Sequence, residues 1–306
     1  MSDAGASPPE FIIIGAAKAG STALFRAVAR HPGVFACREK EPRFFAFAGG
    51  RPVFQGPRDE RALARIVTEE AAYRRLFLGA RAGLLRGEAS TVYLYSDKAA
   101  RVAHQYAPKA RLIAMLRQPV ERGYSQWLHQ HHNGAETLAD FADAWDAEPD
   151  RLRAGWAYLW AYRGRGFYGR QLDQWLEHYP REQLLVLFYD DWIAQPQDTL
   201  ARVWRHLGLE PLPNATIRRE NVTSRQPRWR WLQDMMIYDN ALRRSAQRTL
   251  PLAWRDAVTD LAQRFNLTRV APPLDPVIRR RLTVEFYDDL KRVEDLTQRD
   301  LDAWRR

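Results

Sequence analysis

Near the start of the chain a short apolar run, Phe11-Ile-Ile-Ile-Gly15, passes into small residues and then into a helical pattern over Ser21–Arg30. A continuous apolar run of this length, feeding a helix, reads as a strand buried inside a parallel sheet. His31-Pro32 ends the helix, because the residue before a proline is pushed out of the helical region. Gly15-Ala-Ala-Lys18-Ala-Gly20-Ser21-Thr22 is then a strand-to-helix loop. Its small side chains let a ligand approach the backbone, and the free amides and dipole of a helix start attract an anion. Lys18 adds a mobile cation, and the hydroxyls of Ser21 and Thr22 can donate to phosphate oxygens. A tight packing turn would show the same small residues.

Further apolar runs recur at Gly83–Gly87, Arg111–Leu116 and Leu184–Phe188. Helical patterns over Lys98–Tyr106 and Tyr168–His178 precede the last two, Glu60–Leu78 also reads as helix, and Gly49–Pro57 as loop. Strands alternating with helices predict an α/β fold with a P-loop-like, mainly parallel sheet flanked by helices. From about Pro211 no core strand is expected, and the last third reads as helical around Trp254–Phe265 and Pro276–Leu290. At 306 residues without a clear linker, one domain is expected, with an α/β core over 10–210 and a mostly helical extension over 211–306.

Composition narrows the setting. Lys and Arg number 47 against 37 acidic residues, a net +10, which suggests an anionic partner. The excess is spread, with local concentrations at Arg218–Arg230 and Arg279–Arg281, and no nucleic-acid-binding module accompanies it. Nucleic acid is therefore not an expected partner. The single cysteine, Cys37, excludes an intrachain disulfide and favours a reducing compartment. No stretch approaches the roughly 20 apolar residues of a membrane span. Met1–Glu10, polar and carrying Asp3 and Glu10, resembles no targeting peptide, so a cytoplasmic location is expected.

Spacing separates the first loop from other anion binders. The triphosphatase loop G-x-x-x-x-G-K-[ST] needs lysine directly before the hydroxyl residue. Here Gly15 and Gly20 fit, but position 21 is Ser and the lysine falls earlier, at 18. The dinucleotide spacing G-x-G-x-x-G fails as well. A second strand–turn–helix element follows at Leu112-Ile-Ala-Met-Leu-Arg117-Gln-Pro119-Val-Glu-Arg122-Gly-Tyr124-Ser125. Pro119 suits the first helical turn, and Arg117 leaves the strand at the end where ligands of parallel sheets collect.

The segment from Phe11 through Leu24 resembles the 5′-phosphosulfate-binding loop of sulfotransferases that use 3′-phosphoadenosine-5′-phosphosulfate (PAPS), where Lys-x-Gly-Thr/Ser-Thr/Ser follows the first strand. His31-Pro32 and Lys40-Glu41-Pro42-Arg43-Phe44-Phe45 are similar to the branch containing heparan-sulfate and related bacterial sulfotransferases, whose element reads Lys-Glu-Pro-His-Phe-Phe. Arg117 and Ser125 match the Arg-x-Pro-x-x-Arg-x-x-Ser pattern that holds the 3′-phosphate in this family. The resemblance spans about Phe11 to Arg228. It implies that Lys18, Ala19, Gly20, Ser21, Thr22, Arg117 and Ser125 bind PAPS as co-substrate, without a metal. Gly87–Leu94 resembles the acceptor side of the heparan-sulfate branch but lacks that branch's lysine and proline, and Asn221–Arg230 is a candidate for closing over the adenine.

Sulfuryl transfer is an in-line displacement governed by positioning and charge. Lys18 suits the stabilisation of the leaving phosphate, and Glu41, matching the family's catalytic glutamate, is the candidate general base. Arg43 stands where the family usually has His. His129, His131 and His132 are the alternative source of a base, and Asp190-Asp191 is not read as a magnesium site. The acceptor is expected to be a small molecule or glycan. Trp156, Tyr158, Trp160 and Tyr162 either line its groove or belong to the core, core being the favoured reading. The competing function is a P-loop kinase-like phosphotransferase.

Overall fold

A computed structural model describes residues 8–37, 39–63, 66–212, 225–227, 267–270 and 272–306. The Phe11–Gly15 run is strand β1, buried along its whole length. Helix α1 (Ser21–Val28) follows, and then a short strand, β2 (Val34–Ala36), which has no counterpart in the apolar pattern. Helices α2 (Phe44–Phe47), α3 (Glu60–Leu63) and α4 (Glu70–Arg75) lead to β3 (Leu85–Ala89). Next come α5 (Ala99–Tyr106), β4 (Arg111–Leu116), α6 (Pro119–His132), α7 (Phe141–Asp146), α8 (Glu148–Arg153) and α9 (Tyr168–Leu176). Strand β5 (Leu184–Phe188), α10 (Tyr189–Ala194) and α11 (Pro196–His206) complete this part.

The five strands form one parallel sheet in the order β2-β3-β1-β4-β5. From β1 the chain runs to the edge at β2, returns to β3 beside β1, then crosses to β4 and β5 on the other side. The loops after β1 and β4 therefore part at a switch point, which is where open α/β sheets hold their ligands.

Three expectations shift. The expected Glu60–Leu78 helix is two short ones, α3 and α4. Between them Val67 donates its backbone N–H to Pro42 O at 3.0 Å, a long-range backbone bond that a continuous helix would forgo. The third strand lies at Leu85–Ala89 rather than Gly83–Gly87, because Gly83 turns the chain at φ +85°. Beyond residue 211, Arg225–Pro227 and Leu267–Val270 pair as a two-stranded antiparallel ribbon within the stretch expected to be mostly helical. Trp254–Phe265 and most of Asn221–Arg230 lie outside the described residues. The Pro276–Leu290 pattern is two helices, Pro276–Thr283 and Tyr287–Thr297, separated by a 3-10 turn at Val284–Phe286.

These last helices pack back on the sheet domain through placed polar contacts. Asp289 accepts from the backbone N–H groups of Gly169 and Arg170 at 2.8 and 3.0 Å, supplying the start of α9 with the carboxylate that its own sequence lacks. Of the alternating aromatics, Trp160 and Tyr162 are fully buried in the core and Tyr158 nearly so. Among the described residues no helix is long and apolar enough to cross a membrane.

Close packing at the sheet centre makes a stability prediction. A Cβ on Gly87 of β3 would lie 2.0 Å from Phe11 Cζ on β1, and that ring is fully buried. Gly87→Ala is expected to cost about 3 kcal/mol or more, measured by chemical denaturation, since an overpacked core relieves itself only by distortion.

Candidate active site

The loop after β1 is bent by two left-handed residues, Lys18 at φ 63° and Gly20 at φ 86°. Gly20 serves there as N-cap of α1, and an added Cβ would press on the Tyr189 ring at 3.3 Å. Small residues in this loop thus answer to geometry as well as to ligand access. From the neighbouring strand β4, Arg117 reaches across and donates through Nη1 to the Lys18 carbonyl at 3.3 Å. Its guanidinium lies 4.7 Å over the Tyr189 ring and pairs with Glu121 at 3.5 Å. Gln118 caps the following helix by accepting from Glu121 N at 2.7 Å, with Pro119 at the first helical position. Ser125 lies buried on that helix, α6. The fold therefore joins two segments that are 99 residues apart in sequence.

Glu41 comes from the loop after β2 and is anchored by its N–H, which donates to Ala89 O at 3.0 Å. Oε1 accepts from Lys40 Nζ and Thr91 Oγ1, each at 3.1 Å, and Oε2 from Arg43 Nη2 at 3.1 Å. Burial alone would push this carboxyl up. The charges of Lys40 and Arg43 and their hydrogen bonds overcome it and hold the group at about 2. Lys18 moves the other way, to about 8, through burial first and then repulsion from Arg117, Lys40 and Arg122, with Glu41 opposing. Arg117, Lys40 and Glu41 thus all act on Lys18 within one site.

Behind Glu41 sits a second acid. Glu88, fully buried at the end of β3, accepts from Tyr73 Oη at 2.9 Å, Tyr93 Oη at 2.7 Å and Ser90 Oγ at 2.8 Å. Burial raises it to about 7 against the pull of those three bonds. Ser90 Oγ in turn accepts from Arg43 N at 3.0 Å, so the Glu88 network braces the turn that carries Glu41.

The other candidates fall elsewhere. His129, His131 and His132 occupy the last turns of α6, at the opposite end from Arg117; a rise of about 1.5 Å per residue puts them on the order of 15 Å along the axis. His131 stacks on Trp127, and His129 bonds Asn133 at 3.2 Å. Asp191 forms a bidentate pair with Arg299, and Asp190 accepts from Trp304 Nε1 at 2.7 Å, so both serve the packing of the C-terminal residues. Sequence reasoning reached Glu88 and Thr91 only as part of the Gly87–Leu94 resemblance, and Tyr158 only as one of four alternating aromatics favoured as core. Tyr189 and Arg165 carried no role of their own, because each reaches the site through tertiary packing. Arg122 carried a spacing signal, five residues after Arg117 in the second element. It is fully buried, donates to Tyr162 O, and is lowered to about 10 by its burial.

A sequence model described as the sulfotransferase family matches residues 9–214, and the chain belongs to that family. It is 25% identical over 222 residues to the bovine bifunctional heparan sulfate N-deacetylase/N-sulfotransferase 2, an alignment covering 68% of this chain and 23% of the relative. The mouse heparan sulfate glucosamine 3-O-sulfotransferase 6 is 27% identical over 205 residues, covering 66% of this chain and 53% of the relative. The chain thus spans about a quarter and about half of these relatives. Among solved structures, a sulfotransferase from Alicyclobacillus acidocaldarius superposes with a TM-score of 0.73 at 29% identity, covering 98% of this chain and all of that one. The protein is an enzyme of the sulfotransferase class with an α/β, P-loop-like fold.

Proposed function

We propose that this sulfotransferase uses PAPS and passes its sulfuryl group to a hydroxyl or amine of a small-molecule or glycan acceptor, within a single domain. The reading rests chiefly on one observation: the Lys18 loop and Arg117 meet at the switch point of the sheet, joined by the 3.3 Å bond from Arg117 to the Lys18 carbonyl. One element offers helix-start amides and a cation, the other a guanidinium and the buried Ser125. A nucleotide with phosphate at both its 5′ and 3′ ends fits that pair better than a triphosphate. In this reading residues 18–22 hold the 5′-phosphosulfate, Arg117 and Ser125 the 3′-phosphate, and no metal takes part.

In the transfer the acceptor oxygen or nitrogen forms its bond to sulfur as the sulfur–oxygen bond to the 5′-phosphate breaks. The acceptor proton goes to Glu41, and the electron pair stays on the phosphate oxygen beside Lys18. The place of Glu41, close enough to Lys18 to oppose its repulsion from other cations, supports this assignment over the distant histidines. A cytoplasmic location is part of the same reading, consistent with the one buried thiol, Cys37.

The test is binding of adenosine 3′,5′-bisphosphate (PAP) by calorimetry. Tight binding is expected, with Arg117→Ala weakening it about a hundredfold, as befits loss of a charge-assisted contact worth about 2–3 kcal/mol. Equal affinity for 5′-AMP would sink the reading.

A further inference from the structure

Near Glu41 the chain holds two buried polar groups, a phenol without a hydrogen-bond partner and a guanidinium without an ion-pair partner among the described residues. Tyr158 is 8% exposed, and its hydroxyl has no hydrogen-bond partner among the described residues. Leaving a buried phenol unbonded costs about 1–3 kcal/mol, so the position is not cheap. Nor is it loose. The preceding Ala157 N–H donates to Asp59 at 2.7 Å, Trp160 Nε1 donates to the same carboxylate at 2.8 Å, and Phe47 and Phe54 pack on the tyrosine ring. The turn is fixed, and the hydroxyl is fixed with it.

Arg165 is the second group. It is 3% exposed, and its Cζ lies 5.6 Å from the Tyr158 ring centre. It donates to the Thr91 carbonyl at 3.1 Å, and the Thr91 hydroxyl donates to Glu41. No carboxylate among the described residues lies within ion-pair distance of Arg165. A buried guanidinium without a counter-ion is expensive. Arg43, whose Cζ is 5.8 Å from the same ring, differs because it pairs with Glu41 directly, a carboxylate that Arg165 feels only at longer range.

We propose that Tyr158 and Arg165 form an acceptor subsite for an anionic oxygen group, a carboxylate or sulfate, carried near the hydroxyl or amine that receives the sulfuryl group. The inference rests on the sulfotransferase reading above and names the acceptor class which that reading leaves open. Lys18 and Arg117 are matched to the phosphates of the nucleotide, which leaves Arg165 to pair with a charge brought by the acceptor. Thr91 ties that charge to the base, since it touches Arg165 through its carbonyl and Glu41 through its hydroxyl.

The experiment measures binding of matched ligand pairs to the full chain saturated with PAP. The pairs are 4-hydroxybenzoate and its methyl ester, glucuronate and its methyl ester, and glucose 6-sulfate and glucose. At least one acid is expected to bind tenfold or more tighter than its neutral partner, and the identity of that acid distinguishes carboxylate from sulfate. Arg165→Gln should cut the preference below threefold, and Tyr158→Phe should weaken the acid about fivefold. PAP affinity within threefold of wild type shows that each variant is folded. Tyr158→Phe removes one oxygen only, so it remains informative if Arg165→Gln fails to fold. With PAP bound, acids held no better than their neutral partners, or a preference that survives Arg165→Gln, overturns the subsite. Failure of PAP itself to bind removes the parent reading instead.

Discussion

Glu41→Gln is expected to lower sulfuryl transfer at least a thousandfold while PAP binds within threefold of wild type. The amide keeps the shape of the side chain and can still accept from Thr91, but it cannot take a proton. General base catalysis contributes typically 10²–10⁴-fold, and the expected loss lies inside that range. Two cations hold the Glu41 carboxyl at about 2, so it is ionised at every pH at which the enzyme would be assayed. No acid limb of the pH–rate profile should therefore belong to Glu41 in the free enzyme. A group of that pKa accepts a proton only as the acceptor oxygen gives up its charge to sulfur, which couples proton movement to bond formation. Transfer by the Gln variant within tenfold of wild type, in a labelled-PAPS assay, would return the base role to His129, His131 or His132.

How far the sequence disclosed this site depends on which kind of information each residue carries. Lys18, Gly20 and Arg117 were legible because strand–loop–helix junctions are local: an apolar run, a small-residue turn and a proline at a helix start each fix a neighbourhood. Strand β2 was not, since Val34–Ala36 is three residues long and carries no period of its own; it forms by pairing with β3. The same limit hid Glu88. In sequence it is one acid among 37, and only the three hydroxyls converging on it from Tyr73, Ser90 and Tyr93 make it unusual. Arg165 went unread, and Tyr158 was favoured as core, for a related reason. Among the described residues Tyr158 lacks a hydrogen-bond partner and Arg165 an ion-pair partner after folding, and a pattern of residues cannot display a missing bond. The break between α3 and α4 is another tertiary override, where one backbone bond to Pro42 replaces a turn that propensity alone favoured.

Lys18→Met should cost transfer about a thousandfold and also remove a pH dependence, a pairing that tests the leaving-group role more sharply than rate alone. The methionine keeps most of the buried stem, so the loop need not collapse. What it loses is the cation beside the phosphate oxygen that gains charge as the sulfur bond breaks. Removing one such preorganised donor costs roughly 10²–10³-fold, and a full charge in a buried loop belongs at the upper end. Burial and the neighbouring Arg117, Lys40 and Arg122 place the free lysine at about 8. Below that pH it is charged and attracts the nucleotide; above it the charge must be restored at the expense of binding. Because bound phosphates favour the ammonium, PAP should raise the Lys18 pKa, and wild-type affinity should be level below pH 8 and fall by up to tenfold per pH unit above it. Lys18→Met should bind more weakly at pH 7 and show no such fall. Lys18→Arg restores charge but not the compact, mobile ammonium, so it should regain binding more fully than transfer. A Met variant that transfers sulfuryl within tenfold of wild type, or that keeps the decline above pH 8, would assign both the leaving-group stabilisation and the titration to another group.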